Sequence, residues 1–195
     1  LLYREGYFKQ TLDRTGWQVE RYPLNEISYM PLTRVLTPDT NEEMFVTVPL
    51  LDKTLVASVW KMEIGCVTLV LLDTEIPQNP KEFRDICGRL YCADRTQRLQ
   101  QEILLGVGGF KVLTQMGMEP AVCHMNEGHA AFLSLARIAY LINEKGLDVN
   151  TALEVVWRTN IFTTHTPVPA GNEAFDSELV RPYLNALQKQ TRLDT

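Results

Sequence analysis

Side chains able to exchange protons and form directed hydrogen bonds gather in two short stretches of this sequence. They are His124-Met125-Asn126-Glu127-Gly128-His129 and Thr163-Thr164-His165-Thr166-Pro167, which together hold all three histidines of the chain. Each follows an apolar run, Ala121-Val122-Cys123 before the first and Ile161-Phe162 before the second. Ligands of α/β sheets bind beyond the carboxyl ends of the strands. Two strand ends carrying His, Asn, Glu and Thr therefore predict a polar small-molecule site. A neutral imidazole donates one hydrogen bond and accepts another, which suits sugar hydroxyls. In the first stretch Asn126 is placed to cap a helix, with Glu127 and His129 in its first turn, where a carboxylate suits the helix dipole. Two other uses stay open. His124, Glu127 and His129 could ligate a metal, although their spacing differs from the His-Glu-x-x-His of zinc helices. The stretch could also serve capping alone.

The elements that must position these residues change character near residue 75. Residues 1–75 read as strands: Tyr7 to Gln10 and Trp17 to Glu20 about the polar turn Asp13-Arg14-Thr15-Gly16, then Met44 to Pro49, Leu55 to Glu63 and Cys66 to Leu72. The last two are joined through Ile64-Gly65 and predict an antiparallel hairpin. Residues 76–195 read as helices and strands. Leu99, Ile103, Leu104, Val107, Phe110 and Leu113 recur near the helical period over 95–116, with Gly117 placed as the C-terminal cap. A strand over 120–125, a helix over 127–144, a helix over 150–158, a strand over 160–164 and a helix over 177–189 follow. That order is the grammar of a parallel sheet wound with helices, and the expected fold class is α/β. Gly106-Val107-Gly108-Gly109 lies inside the long helix rather than after a strand. It therefore predicts close helix packing, not a dinucleotide fingerprint.

Composition narrows the partners. The 195 residues carry a net charge of −5, so no basic face recommends nucleic acid. No apolar run approaches the roughly 18 residues of a membrane span. Cys66, Cys87, Cys92 and Cys123 fit no zinc spacing. They are expected to be reduced, cytoplasmic thiols, with Cys66 and Cys123 behaving as small core residues and Cys87 and Cys92 able to pair only under oxidation. The chain begins at Leu1 without Met, as expected of a piece of a longer protein.

Several motifs carry a resemblance. Arg89-Leu90-Tyr91 through Gln101-Glu102-Ile103-Leu104-Leu105-Gly106, His124-x-Asn126-Glu127-Gly128-His129-Ala130-Ala131-Phe132, and Asn160-x-Phe162-Thr163-Thr164-His165-Thr166-Pro167-Val168-Pro169-Ala170-Gly171 resemble the α-glucan (glycogen, starch or maltodextrin) phosphorylases, above all their shorter bacterial and archaeal branch. Tyr3-x-x-Gly6-Tyr7-Phe8-x-Gln10 and Gly16-Trp17 resemble the segment after that family's glycine-rich loop.

The resemblance implies part of the N-terminal Rossmann-like domain of a GT-B glycosyltransferase that phosphorolyses terminal α-1,4 bonds to glucose 1-phosphate. Its implied partners are α-1,4-glucan, phosphate and glucose 1-phosphate; a sheet cut at residue 1 is expected to expose an unpaired edge or apolar face, and hence to give a homodimer or aggregation. It implies that His165 hydrogen-bonds the glucosyl unit in transfer, that Glu127 and His129 line the pocket beside it, and that Asp94 belongs to the gating loop. Cys92-Ala93 in that loop departs from the family's pattern. The glycine-rich loop, the pyridoxal-phosphate lysine and the phosphate-binding basic cluster have no counterpart in these residues. The chain alone is therefore expected to be inactive and to bind no coenzyme. A glycogen or starch synthase-like transferase and a non-catalytic glucan-binding module are the alternatives.

Overall fold

A computed structural model describes residues 1–167 and 174–191, without the side chains of residues 190 and 191. The Val168-to-Gly171 end of the second histidine motif lies outside the described residues.

The first part of the chain is antiparallel. Strands β1 (Lys9–Leu12) and β2 (Gln18–Arg21) form an exposed two-stranded ribbon. Its turn is tied by Asp13, whose Oδ1 accepts from the Thr15 backbone at 2.8 Å and the Trp17 backbone at 3.0 Å. A four-stranded sheet is built around the long β5 (Lys53–Ile64). On one side β5 pairs with β4 (Phe45–Leu50) and, further along, with β3 (Thr33–Arg34); on the other it pairs with β6 (Val67–Asp73). Alternation of side chains across the pleat sends Val46, Val48, Leu55, Ala57 and Val59 into the core. Gly65 supplies the left-handed φ of 62° at the tip of the β5–β6 hairpin. That placement corrects the expectation for Cys66. Gly65 and Cys66 are the two turn residues between Ile64 and Val67, so Cys66 sits exposed at the tip rather than in the apolar run, whereas Cys87 and Cys123 are buried. Among the described residues none of the four cysteines forms a disulfide.

The short helix α1 (Lys81–Arg84) leads to the long helical stretch predicted for 95–116. It consists of α2 (Arg95–Ile103), a π-helical turn over Leu104–Gly108, and α3 (Gly109–Gln115). Leu99, Ile103, Leu104 and Val107 face the sheet and close the main core. Gly117, with φ of 76°, ends the stretch as the sequence requires.

The glycines in and just after the π turn have separate duties. A methyl group on Gly106 would sit 2.6 Å from the Leu133 backbone nitrogen, where α4 (Leu133–Asn143) begins, whereas one on Gly109 would meet nothing within 4 Å. In a polypeptide of the relatives' full length, Gly106→Ala is expected to destabilise by about 1–3 kcal/mol through overpacking. Gly109→Ala is expected to be neutral or stabilising by up to about 1 kcal/mol through helix propensity. Melting curves of the two variants check this, and equal shifts would remove the close-approach explanation.

Strand β7 (Cys123–Asn126), α4, α5 (Val149–Thr159) and β8 (Asn160–Thr163) follow, then α6 (Ser177–Thr191). β7 and β8 pair in parallel, with Asn126 opposite Thr163. Inside the crossover, Arg137 of α4 hydrogen-bonds the Asn160 side chain, whose Nδ2 donates to Ser134 Oγ at 3.0 Å. The start of β8 is thereby tied to α4. The chain is a mixed α/β fold, antiparallel before α1 and helix-parallel-strand after it. On α5 and β8, Trp157 is 83% exposed and Ile161 and Phe162 are half exposed. No helix among the described residues is long and apolar enough to cross a membrane.

Candidate functional site

The two histidine stretches end adjacent parallel strands, so the register of β7 and β8 brings them side by side. The expected helix over 127–144 does not begin where capping logic placed it. Asn126 is the last residue of β7, and Glu127 turns the chain with φ of 60° and ψ of −169°. A 3-10 turn over Gly128–Ala130 intervenes before α4. The reason is the company Glu127 keeps. Its backbone N–H donates to Thr163 O at 2.9 Å, extending the ladder by one residue. Its carboxylate turns across to the end of β8 rather than along a helix.

That carboxylate is buried and triply engaged. Glu127 Oε1 accepts from the backbone N–H groups of His165 and Thr166, both at 2.9 Å, and from the Thr166 hydroxyl at 2.8 Å. These bonds hold its carboxyl below the usual carboxylate range, the His165 amide contributing most and the Thr166 hydroxyl next. A left-handed φ on a non-glycine residue costs of order 1–3 kcal/mol and persists only where its surroundings over-determine it. Here the three hydrogen bonds do so. Glu127 is thus a latch between the two strand ends, and sequence inspection missed this role because it depends on a partner 38 residues away.

His165 stands over this latch. Its Nε2 lies 2.9 Å from Asn126 Oδ1 and its Nδ1 3.4 Å from Glu127 Oε1, while its side chain is 58% exposed. Asn126, expected as a helix cap, instead orients this ring. His124 is exposed on the strand face, with Nε2 2.6 Å from Thr163 Oγ1.

His129 points elsewhere, its Nδ1 2.6 Å from an Arg98 guanidinium nitrogen and 3.9 Å from Glu102 Oε1. It borders a cavity of about 300 Å3 lined also by Glu102, Gly128, Phe132, Phe175 and Val180. His124, Glu127 and His129 therefore face three different sets of partners. Among the described residues no group of three His, Cys, Asp or Glu side chains converges as metal ligands. Asp94 caps α2, its Oδ1 accepting from the Gln97 backbone at 2.7 Å. One helical turn on, Arg98 reaches His129, so the Asp94 loop and the first histidine stretch are linked through α2. Tyr91 in that loop adopts a left-handed φ of 56°, and its ring centroid lies 5.9 Å from the Arg98 guanidinium carbon. The sequence assigned no role to Arg98 or to Glu102, although Glu102 lies in one of the motifs that carry the resemblance; their i,i+4 spacing on the buried side of α2 was the available signal.

The arrangement offers fixed, directional hydrogen-bonding groups of the kind that suit a polyhydroxylated ligand. No protein-family model matches the chain. It is similar to the maltodextrin phosphorylase of Thermococcus litoralis, at 46% identity over 175 residues, which is 90% of this chain and 21% of that protein. It is similar to the glycogen phosphorylase of Mycobacterium tuberculosis, at 44% identity over 191 residues, covering 95% of this chain and 22% of that protein. The glycogen phosphorylase of Aquifex aeolicus is 35% identical over 167 residues, 86% of this chain and 24% of that protein. The chain thus spans about a fifth of the length of the curated relatives it matches, and over nearly all its own length it is homologous to a segment of them.

Proposed function

We propose that this chain works as part of an α-1,4-glucan phosphorylase, a hexosyltransferase that uses phosphate to release glucose 1-phosphate from glucan ends. It would supply one face of the glucosyl site. The observation that carries this is the latched pair of strand ends: Glu127 holds the His165 backbone while His165 and Asn126 share a hydrogen bond. In a GT-B arrangement with these residues in the N-terminal Rossmann-like domain, 1–75 as its strand-rich part and 76–195 as its helix-strand part, the carboxyl ends of β7 and β8 are where the sugar binds. His165 exchanges its contact with Asn126 for a sugar hydroxyl, His129 offers a second hydrogen bond, and the Asp94 loop borders the entrance. An oxocarbenium-like transition state is helped by such fixed groups around the ring. Three relatives named phosphorylase favour this over a synthase or a glucan-binding module.

Pyridoxal phosphate needs a lysine at the site and a phosphate cradle. None of the described lysines lies at the carboxyl ends of β7 and β8: Lys9 is in β1, Lys53 and Lys61 in β5, Lys81 in α1, Lys111 in α3, Lys145 just after α4 and Lys189 in α6. The coenzyme, if used, is held by sequence beyond these residues. Substrates are α-1,4-glucan, phosphate and glucose 1-phosphate. Cysteines outside any disulfide suit the cytoplasm, and a homodimer would cover exposed apolar surface such as Trp157.

The test compares the 195-residue chain with a polypeptide of the relatives' full length. The long form is expected to release glucose 1-phosphate from maltoheptaose and phosphate and to show the absorbance of a bound Schiff base. The chain alone is expected to do neither. A sugar-nucleotide product, or glucan binding by the long form without turnover, would replace this function with one of the alternatives.

A further inference from the structure

We propose that Arg98 is a positioning residue that fixes the tautomer of His129, making its Nε2–H the donor offered to a glucan hydroxyl; the inference rests on the phosphorylase function above. The Arg98 side chain is only 10% exposed, and one of its terminal nitrogens lies 2.6 Å from His129 Nδ1. A guanidinium has donors only and keeps its charge in proteins. Nδ1 must therefore present its lone pair, which leaves the ring proton on Nε2. Among the described residues none is hydrogen-bonded to Nε2, and the ring borders the 300 Å3 cavity.

Glu102, one turn further along α2, sets up a competition. Its Oε1 is 3.4 Å from Arg98 Nε and 3.9 Å from His129 Nδ1. A carboxylate would draw the ring proton to Nδ1, whereas the closer guanidinium forbids it. Glu102 also neutralises Arg98 in a nearly dry setting, where an unpaired charge would be costly. Removing Arg98 leaves Glu102 as the nearest partner of Nδ1. The proton then moves to Nδ1, and Nε2 changes from donor to acceptor. The hydrogen bond offered to substrate is inverted without any change at His129 itself.

The test uses a full-length polypeptide carrying this chain, labelled with 15N in its histidine rings, with His129 assigned by its disappearance in His129→Gln. In the wild type, Nδ1 is expected to resonate as the unprotonated nitrogen and Nε2 as the protonated one; the reverse pattern overturns the proposal. Arg98→Met is expected to lower kcat/KM for phosphorolysis about tenfold, the size of one hydrogen bond, whereas Arg98→Lys, which keeps a donor, retains most of the activity. Arg98→Met with Glu102→Leu removes the competing acceptor and recovers part of the loss. A purely structural pair would instead make the double variant no better than the single one, which also overturns the proposal. If the wild type forms no glucose 1-phosphate, the function fails while the ring spectrum still decides the tautomer.

Discussion

His165→Ala, in a full-length polypeptide carrying this chain, is expected to cut kcat/KM by roughly 10²–10³ while leaving the melting temperature close to wild type. The rate effect follows from losing a hydrogen bond that strengthens as the sugar ring distorts toward the transition state. Stability is spared because more than half of the side chain is exposed and, among the described residues, its ring nitrogens are held by Asn126 and Glu127 at the surface. His124→Ala is the control. Its ring is exposed and bonded to Thr163, so its loss is expected to change rate and melting little. Kinetics and melting are measured on both variants, with and without chelator. A His165→Ala enzyme of near-normal rate removes the main site assignment, and a chelator effect on the wild type would point to a metal at His165.

Glu127→Ala is expected to lower kcat/KM by roughly 10²-fold, since displacing a reacting group by about 1 Å carries a cost of that order. The variant strips one acceptor from three donors, two of which are the amides that set the course of the chain through His165 and Thr166. Unlike His165→Ala, it should also lower the melting temperature. Glu127→Gln keeps an acceptor oxygen without the charge and is expected to fall between Glu127→Ala and the wild type. The pH dependence has a definite sign. The folded carboxyl titrates below its unfolded value of about 4.3. Its contribution is therefore fully present above that value and lost as pH falls through the lower folded pKa. The melting-temperature gap between wild type and Glu127→Gln, present at neutral pH, should close in acid. A gap that instead widens below about pH 4 would show that the latch is not the ionised carboxylate.

The order and type of the elements are legible in the residues because each rests on local physics. Helical periodicity from Leu99 to Leu113, the left-handed glycines Gly65 and Gly117, and β-rich runs about Ile64-Gly65 all act over a few residues. The same locality made the two strand ends visible as a site, since His, Asn, Glu and Thr after apolar runs need no distant partner to be noticed. Gly106 lies between these cases. Its position in a helix announced close packing, but only the approach of Leu133 says what packs there.

Tertiary structure decided how the site residues are used. Local capping preferences would give Asn126 to a helix cap and Glu127 to its first turn. Three hydrogen-bond donors 38 and 39 residues later outweigh that preference, bend the backbone at Glu127 to φ of 60° and release Asn126 to orient His165. Cys66 looked like a core thiol from its neighbours, yet the hairpin tip exposes it. Arg98 and Glu102 carry no assigned role in the sequence, and only the placement of α2 beside His129 gives them one. Residue types and spacing determined which groups gather at the strand ends, because secondary structure is set by near neighbours. Which of them face a ligand and which hold the others in place was decided by hydrogen bonds across long sequence separations, because a buried polar group must find a partner wherever the fold supplies one.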